Sequence, residues 1–197
     1  DISKINKGDI CINNNLFKVP YITEIFASNF LSSYSIASTI GISKSDIDKV
    51  LKDFCIPDGR GNLIKLPNMR IINDTYNANL ESMKKGISQL KEFKNKEVEI
   101  KLILGDMLEL SEESIEIHNE LGRYINSLDF IDSIYAIGNM VKHTLASIDN
   151  PSIFKQYFIN NQVFIEHLKI NSMHGSVIYL KGSRGMKLEQ IINYLKC

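Results

Sequence analysis

The sequence predicts an α/β fold: a mostly parallel sheet with helices on both faces over residues 56–197, preceded by the tail of another domain in 1–55. Three observations carry this. From Asn62 onward, short apolar runs of strand length alternate with stretches whose apolar residues recur at helical spacing. The hexapeptide PDGRGN at 57–62 is the clearest turn punctuation in the chain and is expected to mark a domain boundary. With 197 residues, 44% hydrophobic and 23% charged, the chain can enclose a core, and disorder is not expected.

Ahead of the boundary, DICINNNLFKV (9–19) reads as two short strands around an Asn-rich turn, because asparagine tolerates the left-handed backbone a hairpin needs. Residues 23–40 read as a helix with Ile25, Phe26, Phe30, Ile36 and Ile40 at helical spacing, Thr23 as its cap and Gly41 as its stop. A second helix over 44–54 has Ser43 as cap and Ile47, Val50, Leu51 and Phe54 on one face. A hairpin and two helices are thin for a domain. The chain also opens on Asp1 rather than Met, so it is expected to be a piece of a longer protein.

After the boundary, NLIKL (62–66) and MRIIN (69–73) read as strands. Residues 80–93 read as a helix, with Leu80, Met83, Ile87, Leu90 and Phe93 on one stripe and Asn79 as cap. VEIKLIL (98–104) is a strand. A helix over 112–128 follows, capped by Ser111, with Glu112 and Glu113 placed favourably in its first turn. SIYAIG (133–138) is a strand, 139–147 a helix, 155–158 a short strand, 160–169 a helix, SVIYLK (176–181) a strand and 185–196 a final helix. Ligands of such sheets sit at the carboxyl ends of the strands, which singles out the loops 73–79, 104–110, 138–139 and 181–186.

Composition excludes several functions. Lys and Arg number 23, as do Asp and Glu, so no basic excess suggests a nucleic acid or an anionic membrane as partner. The longest apolar runs are far short of a membrane span, and residues 1–25 lack a basic-then-apolar targeting pattern. Cys11, Cys55 and Cys197 are odd in number and widely spaced, against a disulfide framework or a zinc site and in keeping with a reducing cytoplasm. The phosphate-loop pattern GxxxxGK[ST] does not occur.

Three strand-end loops could carry chemistry. Asn73-Asp74-Thr75-Tyr76-Asn77-Ala78-Asn79 either makes turns and a helix cap or aims Asp74 and its amides into a cleft, toward a sugar hydroxyl, a metal-bound water or an amine. Leu104-Gly105-Asp106-Met107-Leu108-Glu109-Leu110 turns at Gly105 and offers two carboxylates, for acid–base or cation work or simply as partners of a helix dipole. Lys181-Gly182-Ser183-Arg184-Gly185-Met186-Lys187 places cations where a helix begins, which is unfavourable unless an anion sits there. His118 lies on an apolar stripe with Ile115, Leu121, Ile125 and Leu128, where a satisfied core histidine is the plain expectation; His143, His167 and His174 have no metal-ligand spacing.

Taken in order, GRG (59–61), NDTYNAN-LESM (73–83), LILGDMLELSEES (102–114) with His118 after it, and LKGSRGMKLEQ (180–190) resemble the Mur ligase family of peptidoglycan synthesis. Within the family the YNAN string is similar to the branch that adds D-alanyl-D-alanine; other members resemble a YAHNP-like version, which argues against a ligase for a different amino acid. The resemblance implies a Rossmann-like C-terminal domain in 56–197, and in 1–55 the end of a central ATPase domain. It implies a cytoplasmic, monomeric, three-domain ligase. Such an enzyme uses ATP and Mg2+ to activate UDP-MurNAc-tripeptide as an acyl phosphate, which the amine of D-alanyl-D-alanine attacks. The UDP-binding domain, the phosphate loop, the catalytic glutamate and the metal ligands would lie outside this sequence, so no catalytic or metal-binding residue is assigned within it and the chain alone is expected to be inactive.

By the same resemblance Arg60 reaches the nucleotide phosphates, as its fixed charge suits, and Asp74 binds the ribose. Tyr76, Asn77 and Asn79 face substrate, and Lys181, Ser183 and Arg184 lie near the dipeptide carboxylate. Gly105, Asp106, Met107, Glu109 and His118 match a further motif without an assigned role. Two departures stand out. Ala27 and Leu31 fall where the family has a histidine and an asparagine, at the expected adenine or ribose contacts, and Leu80 replaces a proline. The Ala27/Leu31 departure keeps open a second reading, a non-catalytic binding module from a split or degenerate ligase.

Overall fold

The structure is a computed structural model describing residues 2–6, 9–19, 24–110 and 112–196. The expected caps Thr23 and Ser111, and Cys197, lie outside the described residues. The chain forms two compact units, Asp1–Ile56 and Pro57–Cys197.

In the first unit an antiparallel sheet of β1 (Ile2–Asn6), β2 (Asp9–Ile12) and β3 (Asn15–Lys18) is followed by α1 (Glu24–Thr39) and α2 (Lys44–Asp53). Strand β1 was not expected. The β2–β3 turn has Asn13 and Asn14 at φ of 48° and 62°, the left-handed pair a two-residue hairpin requires. Its core joins Ile10, Ile12 and Phe17 to Ala27, Phe30 and Leu51, and the Phe17 ring meets Phe30 and Tyr34 edge-on at 5.3 and 5.2 Å. The packed stripe of α1 is thus Phe26, Ala27, Phe30, Leu31 and Tyr34; Ile36 and Ile40, expected on it, are exposed, as is Val50 of α2. Gly41 ends α1: its amide donates to the Ser38 carbonyl and the Ile42 amide to the Ala37 carbonyl, a Schellman closure. Ser43 caps α2 by accepting from the Asp46 amide.

The second unit is a six-stranded sheet of β4 (Asn62–Leu66), β5 (Met69–Asp74), β6 (Glu99–Gly105), β7 (Ser133–Ile137), β8 (Phe154–Phe158) and β9 (Ser176–Lys181), in the order β4-β5-β9-β6-β7-β8. Only β4 runs antiparallel, paired to β5 in a hairpin; the other neighbours are parallel. The helices are α3 (Leu80–Ser88), α4 (Ser114–Asn126), α5 (Lys142–Ala146), α6 (Asn161–Leu168) and α7 (Glu189–Leu195). Alternate residues of each strand feed two cores. Ile100, Leu102, Leu104 and Tyr179 pack with Met83, Ile87, Leu121 and Ile125 of α3 and α4. On the other face Ile71, Ile103, Ile178 and Leu180 pack with Phe164 of α6 and Ile191 and Ile192 of α7. This is the α/β fold expected, a mostly parallel sheet with helices on both faces.

Helix ends differ from expectation for local reasons. The 80–93 helix tightens to 3-10 form over Gln89–Phe93, keeping Leu90 buried. The fourth helix starts at Ser114 rather than 112, and Ile115, expected on its buried stripe, is exposed. The fifth starts at Lys142 rather than 139, because the amides of 139–141 turn toward a carboxylate described below.

Candidate functional site

Parallel pairing brings three expected loops together. β9 lies between β5 and β6, with Asp74 opposite Lys181 and Leu104 opposite Lys181. The segments following β5, β9 and β6 therefore leave adjacent strands at their carboxyl ends, where sheets of this kind hold ligands.

At the centre is Asp74. Its Oδ2 accepts from the Lys181 Nζ at 2.6 Å and from the Tyr179 hydroxyl at 2.8 Å, while Lys181 also donates to the Asn77 carbonyl at 2.9 Å. The Lys181 side chain is only 4% exposed and that of Asp74 20%. Lys181, expected beside an anionic ligand, is thus buried and neutralised within the protein. Among the described residues no group donates to Asp74 Oδ1, which leaves that oxygen as the open acceptor of the cluster. Burial pushes the Tyr179 phenol well above its ordinary range, and the Asp74 carboxylate adds to this, so the hydroxyl stays protonated and donates.

The PDGRGN turn is stitched to the loop after β5. The Gly61 amide donates to the Asn73 carbonyl at 2.7 Å and the Tyr76 amide to the Gly59 carbonyl at 2.9 Å. This lays the Arg60 guanidinium over the Tyr76 ring, 4.0 Å from its centroid, with both side chains open to solvent. Asn73 is buried and its Oδ1 accepts from the Thr75 hydroxyl at 2.8 Å. Asn79 caps α3 in a reciprocal box with Ser82, so its side-chain oxygen serves the helix; the Asn77 side-chain oxygen accepts from the Ala78 amide.

The loop after β6 is pinned at four points. The Asp106 carboxylate, in a residue 5% exposed, accepts from the backbone amides of Asn139, Met140 and Val141 at 2.9, 2.9 and 2.8 Å, tying it to the loop after β7. Its carbonyl accepts from the Ser183 amide, and the Ser183 hydroxyl accepts in turn from the Leu108 amide at 2.8 Å. The Met107 amide donates to His118 Nε2 at 3.2 Å, and His118 Nδ1 lies 2.8 Å from the Ser114 carbonyl, which assigns the proton to Nδ1. Fully buried, His118 has its pKa lowered by desolvation, against smaller opposing pulls from the Ser114 carbonyl and Asp106. Asp106, Ser183 and His118 therefore act as a clasp, and His118 is the satisfied core histidine of the plain expectation. Gly105 ends β6 beside Gly182, where a methyl group on Gly182 would lie 3.0 Å from the Gly105 Cα.

Two further predicted residues are exposed. Arg184 is exposed, its Nη1 3.7 Å from Glu189 Oε1, and Glu109 is exposed with a left-handed φ of 64°. Two roles escaped the sequence reading. Tyr179 could have been found from the strand period, which puts it on the same face as Lys181. Gly138 has φ of 127°, and a Cβ there would lie 2.6 Å from the Asp106 carboxylate, so only glycine fits beneath the clasp.

The arrangement offers an open carboxylate oxygen, an exposed guanidinium on an aromatic platform and a rigid loop frame. These suit the hydroxyls and phosphates of a nucleotide. Among the described residues no group of three or more metal-ligating side chains converges, so they do not make a magnesium site by themselves. Among the same residues no helix is long and apolar enough to cross a membrane.

Comparison with known proteins places the sequence and the fold in a family. The family model described as "Mur ligase, glutamate ligase domain" matches residues 59–184. A UDP-N-acetylmuramoyl-tripeptide–D-alanyl-D-alanine ligase of Rickettsia prowazekii is 34% identical over 187 residues, covering 93% of this chain and 40% of the relative. The Bacillus subtilis protein of that name is 32% identical over 186 residues, 92% and 40% of the two chains. Among solved structures, the MurF ligase of Thermotoga maritima in complex with ADP superposes with a TM-score of 0.76 at 23% identity, over 98% of this chain and 44% of that one. The Acinetobacter baumannii MurF superposes at 0.79 and 24% identity, over 96% and 42%. The chain thus spans about 40% of the length of the curated relatives it matches. With its family signature running from the PDGRGN turn to the segment after β9, the chain belongs to the Mur ligase family.

Proposed function

We propose that this chain is the C-terminal part of an ATP-dependent ligase that joins D-alanyl-D-alanine to UDP-MurNAc-tripeptide through an acyl phosphate. The observation that carries the proposal is the 34% identity, over 93% of the chain, to a relative named for that reaction. In this reading residues 1–55 end a central ATP-binding domain and 56–197 form the Rossmann-like domain that closes on the nucleotide. The protein is cytoplasmic and monomeric. Asp74 accepts from the ribose through Oδ1, and Arg60, held on Tyr76, meets the phosphates. Asn77 and Arg184 face the substrate side. Ser183 and Asn79 support the loops through their backbone partners, and Lys181 acts through Asp74 rather than by touching the dipeptide. Magnesium would be held mainly by residues outside this sequence and would supply charge neutralisation at the phosphates. This chain's residues bind and orient, and none is assigned a proton transfer.

The test is ligation by the full-length protein with ATP, magnesium, UDP-MurNAc-tripeptide and D-alanyl-D-alanine, read as phosphate release and as product mass. Pentapeptide product with stoichiometric phosphate is expected. No product, or product only with another amine, overturns the reading. The 197-residue chain by itself is expected to release no phosphate, since it holds no phosphate loop.

A second reading, a non-catalytic binding module, draws on Ala27, which is buried in the first unit's core where the resemblance expects a polar contact. The full-length assay separates the two: nucleotide binding without ligation favours the module.

A further inference from the structure

We infer that Tyr179 is a positioning residue for nucleotide recognition: its phenol fixes the Asp74 carboxylate so that Oδ1 is presented to the ribose. This rests on the nucleotide-facing role proposed for Asp74.

Tyr179 is 1% exposed and sits on β9, two residues before Lys181 and on the same strand face. A tyrosine so deep needs a partner for its hydroxyl, and it finds one in Asp74 Oδ2 at 2.8 Å. The space for that hydroxyl comes from Gly86 of α3. A Cβ there would lie 1.9 Å from the phenolic oxygen, so the helix is cut away where the oxygen lies. The ring therefore has a single fitted position, between α3 and the end of β5.

Lys181 alone would leave Asp74 loosely held. One ammonium 2.6 Å from one oxygen fixes a distance and leaves the carboxylate free to rotate about it. The second donor, from another direction and on a rigid ring, removes that freedom. With Oδ2 occupied by both donors, the other oxygen is the one left for a ligand. A carboxylate oxygen held in this way accepts from a vicinal diol without first giving up an internal partner, which favours binding through preorganisation.

The test uses the full-length protein and compares ADP with 2′,3′-dideoxy-ADP by calorimetry, for the wild type, Tyr179→Phe and Asp74→Asn. The Phe variant removes one oxygen and keeps the ring that fills the core, so the fold is retained. Asn at 74 still offers an oxygen to Lys181 and Tyr179 but presents an NH2 to the ligand. The wild type is expected to prefer ADP. Tyr179→Phe should shrink that preference by about threefold to tenfold, leaving affinity for the dideoxy nucleotide unchanged, and Asp74→Asn should abolish it. A merely structural role would weaken both nucleotides alike or neither, and either result in Tyr179→Phe, with Asp74→Asn still abolishing the preference, overturns the inference and leaves the nucleotide reading standing. A wild type without preference, or an Asp74→Asn protein that keeps it, overturns both.

Discussion

Replacing Asp106 with Asn tests how much of the site is frame. The carboxylate accepts three backbone amides, from Asn139 on Oδ2 and from Met140 and Val141 on Oδ1, at 2.8–2.9 Å in a nearly closed environment. An asparagine oxygen can keep the latter pair, but its NH2 then faces the Asn139 N–H, donor against donor. One bond to a charged acceptor, worth about 1.5–3 kcal/mol, is lost and the others fall to neutral strength. The total is about 3 kcal/mol. For a unit of this size each kcal/mol lowers the melting temperature by about 2–4 °C, so a drop of about 6–12 °C is expected by calorimetry. Gly138→Ala presses on the same carboxylate, with its Cβ 2.6 Å away, and the double variant should lose less than the sum of the singles. A melting temperature within about 2 °C of wild type for Asp106→Asn would refute the clasp as a stabilising element.

Two further outcomes follow from buried contacts. Gly86→Ala would raise helix propensity by about 1 kcal/mol in isolation, yet its Cβ meets the Tyr179 oxygen at 1.9 Å, so the variant should melt below wild type; a higher melting temperature would show that the ring can move. His118 has a pKa lowered from 6.5 by burial, so the unfolded chain takes the proton first. Its contribution is whole above about pH 6.5 and declines as the pH falls below it, and protection of the Met107 amide from hydrogen exchange should fall over the same range. Asp106 and His143 also act on this ring. The contrast with His118→Gln, whose acid-side loss should be smaller, isolates the histidine; equal losses in both proteins would contradict it.

Much of the fold is legible because hydrophobic period is local. The β6 run EIKLILG feeds one core with Ile100, Leu102 and Leu104 and the other with Ile103, and the stripe Met83, Ile87 and Leu90 is fully buried even where its helix tightens. Strand order is not local, and nothing within SVIYLK says that it inserts between β5 and β6. The site divides the same way. Asp74 and Lys181 stand out as polar residues at strand ends, but their pairing spans 107 positions and only the sheet creates it. The cations of 181–187 suggest a facing anion, and for Lys181 that anion is Asp74 itself. Ile36 and Val50 fit an apolar spacing and stay exposed, because spacing names a face without naming its neighbour.

On the proposed reading, the carboxyl end of β5 presents Asp74 to the nucleotide of a ligase. The structure selects the variant that tests it. Asp74→Ala would strand the buried Lys181 without its partner, at a cost in stability of about 3–5 kcal/mol that would blur any kinetic result. Asp74→Asn keeps an acceptor for Lys181 and Tyr179, so it costs less stability than Asp74→Ala although it removes the charge that neutralises Lys181. The decisive measurement is the steady-state ligation rate of full-length Asp74→Asn beside its melting temperature. A loss of about tenfold to a hundredfold in kcat/KM for ATP is expected, with the fold preserved. Near wild-type ligation by a well-folded Asp74→Asn protein would contradict it.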